Sequence, residues 1–207
     1  MKIKYHNIFL ISLFASCSTL DSGKIAPGYF EAYKSFKSLI VGYPSDQITP
    51  ELIKNIPYAS STLRIGRGPM GLLILESTKN GKDTWVSQDG VYIIIKEGRI
   101  IESAGLSNNL INLEFSSSLK DFKKEEAELV YNHYYSYDFP SLNNLKVRVS
   151  FTKKDNQLIT LINKEIKLTL IEERIINDYL GWDVTNKYWL DEEGYVWKSE
   201  QHISPKL

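Results

Sequence analysis

The stretch from Met70 to Ser103 decides the fold, and it reads MGLLILESTKNGKDTWVSQDGVYIIIKEGRIIES. Its apolar runs are short and rich in β-branched and aromatic residues, which is typical of strands. Between these runs lie Asn80-Gly81, Asp89-Gly90 and Glu97-Gly98, pairs that tolerate the backbone angles of tight turns. Together with the preceding SSTLRI, the stretch predicts an antiparallel meander of four or five strands in sequence order.

Strand signals resume in the second half of the chain. The runs LVYNHYYSY, LKVRVSFT, LITLI and IKLTLIEERII predict strands, with turns at Lys153–Gln157 and Asn163-Lys164. Two short strands are predicted around Glu193-Gly194, and a helical turn is predicted in the charged segment 120–129. No long helix separates the strands, which argues against a parallel βαβ fold.

Helix signals are confined to the N-terminal part of the chain. Apolar residues recur at helical spacing from Tyr29 to Val41. A second, short helix is predicted after Thr49, which is a good cap, with Pro50 at its first position and Pro57 beyond its end. The predicted fold is therefore mainly β, with antiparallel meander sheets forming a sandwich or open barrel and one or two short N-terminal helices.

One short pattern occurs twice. Trp85 precedes Asp89-Gly90 by the same distance as Trp189 precedes Glu193-Gly194. Two related β units, about residues 29–118 and 119–207, would explain this recurrence. Two chance occurrences of a common hairpin pattern would explain it as well.

The first residues have the pattern of an export signal. Lys2 and Lys4 precede the apolar run IFLISLF and the small residues Ala15 and Ser16. That run is shorter than the roughly 20 residues that a membrane-spanning helix needs. We therefore predict a signal peptide over residues 1–16, a polar tether over residues 17–28 and a β-rich domain over residues 29–207.

Cys17 is the single cysteine of the chain and ends the stretch FASC, which resembles a bacterial lipobox. A plain signal peptide that happens to contain a cysteine is the alternative, but it would leave an exported chain with an idle thiol. Lipidation would make the bilayer a partner through buried acyl chains, such as palmitate. By the lipoprotein resemblance, Ser18 implies the outer membrane and a chain that faces the periplasm.

Composition and motifs exclude several classes of function. Basic and acidic residues number 25 each, without the basic excess that a nucleic-acid binder usually shows. His6, His133 and His202 stand apart from other metal ligands, and the chain has neither a phosphate loop nor a nucleophile elbow. We predict no metal, no cofactor and no catalytic residue, because the acids Asp89, Glu97, Asp191 and Glu193 fall where turns already favour acids.

Aromatic residues give the chain a possible binding surface. Sugar rings stack on exposed indoles. Neighbouring carboxylates and amides accept hydrogen bonds from sugar hydroxyls, and amides also donate hydrogen bonds to them. The candidate glycan-contact residues are Trp85, Gln88, Asp89, Trp189 and Trp197. The competing interpretation is that these aromatics fill a β core or pair across strands.

Several of these pieces together resemble the YjbF/GfcB family of bacterial lipoproteins, which is linked to group-four capsule and related exopolysaccharide production. The pieces, in order, are Ile48-Thr49, Pro57 to Ala59, Gly66 to Pro69, Trp85 with Ser87 and Asp89-Gly90, Gly98-Arg99, Gly105-Leu106 with Asn109-Leu110, and Trp197 to Gln201. The resemblance runs from about Tyr29 to the C-terminus and brings no catalytic residues. It implies a non-enzymatic, lipid-anchored protein. This protein would assist polysaccharide export or assembly through contacts with export proteins or with the polysaccharide itself. A glycan hydrolase or transferase and a carrier of lipid or glycolipid are the alternatives.

Overall fold

The computed structural model describes residues 48–87, 90–123, 130–161 and 164–205. The chain divides into two compact units, and one of them, Ser45–Gly66 with Met70–Leu207, contains every helix and strand of the described residues. The other comprises Met1–Pro44 and Arg67–Pro69, of which Arg67–Pro69 are described. The predicted signal peptide, the tether with Cys17 and the Tyr29–Val41 helix lie outside the described residues.

The predicted short helix is confirmed as α1, Pro50–Lys54. Thr49 caps it, because its Oγ1 accepts a hydrogen bond from the backbone N–H of Leu52 at 3.2 Å. This bond satisfies one of the N–H groups that have no partner in the first turn of a helix. The helix ends at Asn55, whose N–H bonds back to the carbonyl of Glu51.

The first sheet is the predicted antiparallel meander, with five strands in sequence order. Asn80-Gly81 and Glu97-Gly98 form two-residue turns, since Lys79 pairs with Lys82 and Lys96 pairs with Arg99. Both turns were predicted from the dipeptides Asn80-Gly81 and Glu97-Gly98. The strands are β1 (Ser60–Arg64), β2 (Met70–Lys79), β3 (Lys82–Ser87), β4 (Tyr92–Lys96) and β5 (Arg99–Ala104).

The second sheet has six described strands, again antiparallel and in sequence order. A 3₁₀ turn, Asp121–Lys123, lies between its first two strands within the segment where a helical turn was predicted. The change from the first sheet to the second falls at residues 105–109. The strands are β6 (Leu110–Glu114), β7 (Val130–Tyr137), β8 (Leu142–Leu161), β9 (Lys164–Asn177), β10 (Trp182–Leu190) and β11 (Val196–Glu200).

The predicted turn at Lys153–Gln157 is wrong, because β8 continues through it as one strand of 20 residues. Pairing with β9 shifts register between Lys153 and Asn156 and then resumes. The Thr169 hydroxyl donates to Asn156 Oδ1 at 2.9 Å across the two strands. Polar residues there reflect exposure of this part of the strand, and the irregularity is a bulge within the ladder.

The two sheets are curled half-barrels that share one hydrophobic core, so the prediction of a mainly β fold is confirmed. In β8, Val147, Val149 and Phe151 point into this core while the alternating residues Lys146 and Arg148 are exposed. That is the two-residue period of a strand with one buried face. Among the described helices, none combines the length and apolarity needed to cross a membrane.

Candidate functional site

A cavity of about 850 Å³ lies between the two sheets. This volume is within the range of about 300–1,000 Å³ that is usual for ligand sites. The first sheet contributes one wall and the second sheet the other, and α1 borders the cavity. Apolar side chains that line it include Leu72, Trp85, Ile95, Ile166, Val196 and Trp197. Polar ones include Lys54, Ser61, Thr62, Asp83, Lys120 and Lys164.

Trp85 lies on β3, on the wall formed by the first sheet. Only 9% of its surface is exposed, and it belongs to the shared core. Its indole Nε1 is buried and has no hydrogen-bond partner among the described residues. Most of this ring therefore stabilises the core, and little of its surface is left to contact a ligand.

Trp197 lies on β11, on the opposite wall, and is 47% exposed. Its indole Nε1 donates a hydrogen bond of 2.8 Å to Asp191 Oδ2. Tyr195, also on this wall and 57% exposed, meets the Trp197 ring edge-on at a centroid distance of 5.3 Å. An exposed indole that is held in one orientation can stack against a flat ligand with little loss of side-chain entropy.

Asp191 holds this aromatic pair with both of its carboxylate oxygens. Oδ1 accepts from the backbone N–H groups of Glu193 and Tyr195 at 3.0 and 2.9 Å, and Oδ2 accepts from Trp197. Burial would raise the pKa of the Asp191 carboxyl, but these hydrogen bonds outweigh it and hold the pKa below its usual value. Asp191 is thus an ionised structural acceptor, which does not suit it to act as a general acid.

The other predicted contact residues lie elsewhere. Trp189 is 5% exposed, and its Nε1 donates to Gln157 Oε1 at 2.8 Å. It packs in a small second cluster with Leu168 and Leu170, on which the Lys198 ammonium lies 4.3 Å from the indole centroid. Gln88 and Asp89 lie outside the described residues. Of the three predicted tryptophans, the structure brings Trp85 and Trp197 to one cavity.

A buried polar network connects the two sheets. Arg99 on β5 donates from Nε to Glu173 Oε1 on β9 at 3.0 Å, and both side chains are almost fully buried. The other oxygen of Glu173 accepts from Tyr188 and Asn186 at 2.7 and 3.0 Å. The Arg99 guanidinium also lies 4.6 Å over the Phe115 ring. These residues, together with His133 beside Glu173, form the Arg99–Glu173 network.

Charges inside this network are balanced by its contacts. Burial opposes ionisation of Glu173, but Arg99 and the hydrogen bonds hold the pKa of its carboxyl below the usual value. His133 Nδ1 lies 3.8 Å from Glu173 Oε1. Burial and the nearby Arg99 charge lower the pKa of His133 to about 4, so the imidazole is neutral at pH 7. The network therefore holds one ion pair and a neutral histidine.

Glu173 and the cavity lysines were missed by the sequence analysis. A signal for Glu173 existed, because it shares its strand face with Ile171 and Ile175, which are both buried. A charged residue at an inward position of an apolar strand indicates a buried partner. Lys54, Lys120 and Lys164 carried no such signal, since they come together only when distant segments fold. Within the described ranges, no cluster of three or more metal-ligating side chains occurs.

Comparison with known proteins places the chain among lipoproteins. It is 25% identical over 169 residues to the uncharacterized lipoprotein YjbF of Escherichia coli K12, covering 79% of this chain and 78% of that one. It is 19% identical over 181 residues to the uncharacterized lipoprotein GfcB of the same strain, covering 82% and 81%.

A crystal structure of the hypothetical lipoprotein YmcC from Escherichia coli K12 has a similar fold. The TM-score is 0.66 at 18% identity, with 82% of this chain and 87% of that chain covered. The family described as group 4 capsule polysaccharide lipoprotein GfcB, YjbF matches residues 33–207. The chain belongs to this family of capsule-associated lipoproteins.

Proposed function

We propose that the chain is a periplasm-facing lipoprotein, anchored in the outer membrane through Cys17, that assists capsule or exopolysaccharide export or assembly by holding glycan. The observation that carries this proposal is the cavity that combines Trp197, fixed by Asp191, with a wall of hydroxyl-bearing residues. Sugar recognition uses this combination, because a ring face stacks on the indole while its hydroxyls bond to polar side chains.

Binding without catalysis is favoured by the roles of the carboxylates. Asp191 uses both oxygens to hold the loop and Trp197. Asp83 and Glu193 line the cavity, and Asp83 Oδ1 already accepts the Thr78 hydroxyl at 2.7 Å. We expect an Asp83→Asn/Glu193→Gln double variant to maintain surface polysaccharide at the wild-type level. A loss of polysaccharide with unchanged glycan binding would instead support a hydrolase or transferase.

Glycan is favoured over an acyl chain because of the cavity lining. Ser60, Ser61 and Thr62 line it from β1, together with lysine and carboxylate groups. An alkyl chain that covered these groups would remove their contact with water and give them no hydrogen-bond partner, which is unfavourable. A carrier for a lipid tail would have an almost wholly apolar lining.

A substitution at Trp197 tests the proposed function. Trp197→Ala removes the fixed ring from the cavity wall, and we expect a cell whose own gene carries it to show less surface polysaccharide. Tyr179→Ala is the matched control, because Tyr179 is 93% exposed and does not line the cavity. Polysaccharide at the wild-type level in the Trp197 variant, with the protein present in normal amounts, would contradict a role for this cavity.

The anchor requires its own test. Cys17→Ser removes the thiol that would carry the acyl chains, so we expect the variant protein to leave the membrane fraction for the soluble periplasmic fraction. Retention of the variant in outer membranes would refute lipidation at Cys17 without bearing on the cavity.

A further inference from the structure

The charges around the cavity favour a negatively charged ligand. Lys54 at the end of α1, Lys120 before the 3₁₀ turn and Lys164 at the start of β9 all line it. None of the three takes part in an ion pair between described residues. Among the side chains that line the cavity, the three lysines outnumber the two carboxylates of Asp83 and Glu193, so the lining has one more positive than negative group; the ionised Asp191 contacts Trp197 but is not part of the lining.

This local excess contrasts with the whole chain, whose net charge is zero. The lysines come from three separate segments, so no single helix or strand explains their meeting at one cavity. An ammonium group beside an apolar wall interacts more strongly with a ligand anion than it would in open water.

We propose that the cavity binds an acidic saccharide, with a sugar carboxylate held by Lys54, Lys120 and Lys164 and a sugar ring stacked on Trp197. On the wall formed by the first sheet, the Ser61 hydroxyl, which lies on the same sheet face as Trp85, then donates to and accepts from the sugar hydroxyls. This inference rests on the proposed function, since it names the class of glycan that the same site takes.

The test compares two oligosaccharides that differ only in charge. Oligogalacturonate and its carboxyl-reduced form have the same linkage and length, but only the first carries carboxylates. Binding of each to the full-length lipidated protein in detergent is measured by isothermal titration calorimetry. We expect the acidic oligomer to bind at least about tenfold more tightly, and this preference to weaken as salt rises from about 0.05 to about 0.5 M.

Substitution of the lysines identifies the source of this preference. Lys54→Gln/Lys120→Gln/Lys164→Gln should weaken binding of oligogalacturonate about tenfold or more and leave the neutral oligomer unaffected. Lys79→Gln/Lys146→Gln/Lys153→Gln is the matched control, because it removes the same charge from exposed strand positions outside the cavity. All six lysines are exposed, so neither triple variant is expected to unfold.

Each alternative outcome has a separate meaning. Equal binding of both oligomers, or binding that the cavity lysines do not affect, overturns the acidic class but leaves glycan binding in place. Binding of neither oligomer, combined with wild-type polysaccharide in the Trp197→Ala cell, overturns both proposals. Equal competition by phosphatidylglycerol vesicles would identify a lipid headgroup site and also overturn the saccharide inference.

Discussion

The loops that follow Trp85 and Trp189 are closed by the same hydrogen bonds between their end residues, but the first residue of each loop differs in what else it contacts. In both, the residue two positions after Trp bonds through its N–H to the carbonyl four residues later, at 2.8 Å from Ser87 to Val91 and 3.0 Å from Asp191 to Tyr195. In both, the side-chain oxygen of that residue accepts from the backbone N–H at the far end of the loop.

The difference is one oxygen atom. The Ser87 Oγ accepts from the N–H of Val91 and donates to the Val91 carbonyl, so both of these bonds close its own loop. Asp191 closes its loop with Oδ1 and has Oδ2 left to accept from the Trp197 indole. A turn that recurs within the chain therefore shows nothing about function by itself, whereas the additional acceptor of Asp191 positions an exposed aromatic ring at the cavity.

Both loops depend on sheets that stay together, so the largest expected effect is on the Arg99–Glu173 network. Glu173→Ala leaves the Arg99 guanidinium buried without its carboxylate, and we expect a loss of about 3–5 kcal/mol in the free energy of unfolding. Urea denaturation measures this loss. Asp178→Ala is the control, because the Arg148–Asp178 pair is 56% and 78% exposed and should cost less than about 1 kcal/mol. Equal costs at the two sites would contradict the role given to the network.

The same network predicts how stability depends on pH. The fold keeps His133 neutral with its pKa near 4, whereas the unfolded chain protonates it near 6.5. This contribution to stability is complete above pH 6.5 and is lost as pH falls towards 4, at most about 3 kcal/mol. The lowered pKa of Glu173 acts in the same direction at still lower pH.

Urea denaturation between pH 4 and pH 8 measures this dependence. His133→Gln should be less stable than the wild type at pH 7 but lose less stability on acidification. His202→Gln, outside the ion pair, should show the wild-type dependence of the free energy of unfolding on pH. If His133→Gln shows that same dependence, another group is responsible for it.

A smaller effect tests the support beneath the Asp191 loop. A Cβ added at Gly98 would clash with the side chain of Val196 on β11, the strand that follows this loop, and Gly98 has φ of +79°. Gly81 has φ of +70° in the corresponding turn between β2 and β3 but has open space around it. We expect Gly98→Ala to cost about 2 kcal/mol more than Gly81→Ala, because it adds overpacking to the backbone strain. Equal melting temperatures for the two variants would contradict this contact.

The smallest effect separates the two loops directly. Asp191→Ser gives the second loop the side chain of the first, so the loop should still close while Trp197 loses its acceptor. We expect a loss of about 1 kcal/mol or less in stability, together with faster motion of the Trp197 ring in fluorescence anisotropy. Ser87→Asp is the reciprocal variant and should leave Trp197 unchanged. Unaltered Trp197 anisotropy after Asp191→Ser would show that packing, not the hydrogen bond, holds the ring.

The turns explain why much of the fold could be predicted from sequence. Asn80-Gly81 and Glu97-Gly98 determine hairpins locally, and Thr49-Pro50 determines a helix start, since each requires only neighbouring residues. The Lys153–Gln157 segment shows the limit of this reasoning. Its polar residues are typical of a turn, but β8 pairs with β9 on both sides of it, from Arg148 to Lys153 and from Asn156 to Leu161, and this pairing overrides the local preference.

The candidate site was less accessible to such reasoning. Trp85 and Trp197 could be named because aromatic residues stand out in a sequence, but their contrast in burial depends on which sheet face each one occupies. The hydrogen bond that fixes Trp197 depends on loop geometry. The three lysines meet only in the folded chain, because no spacing relates residues 54, 120 and 164.

The side chain of Gln201 bonds to the backbone at the β5 edge of the first sheet. Its Oε1 accepts from the N–H of Ile100 and its Nε2 donates to the carbonyl of Gly98, both at 3.0 Å. These are the two kinds of bond that a further strand would make to β5, the last strand of that sheet. The side chain thus blocks part of an edge on which another chain could otherwise add a strand. A single glutamine thus takes two of the backbone positions through which another chain could pair with the first sheet.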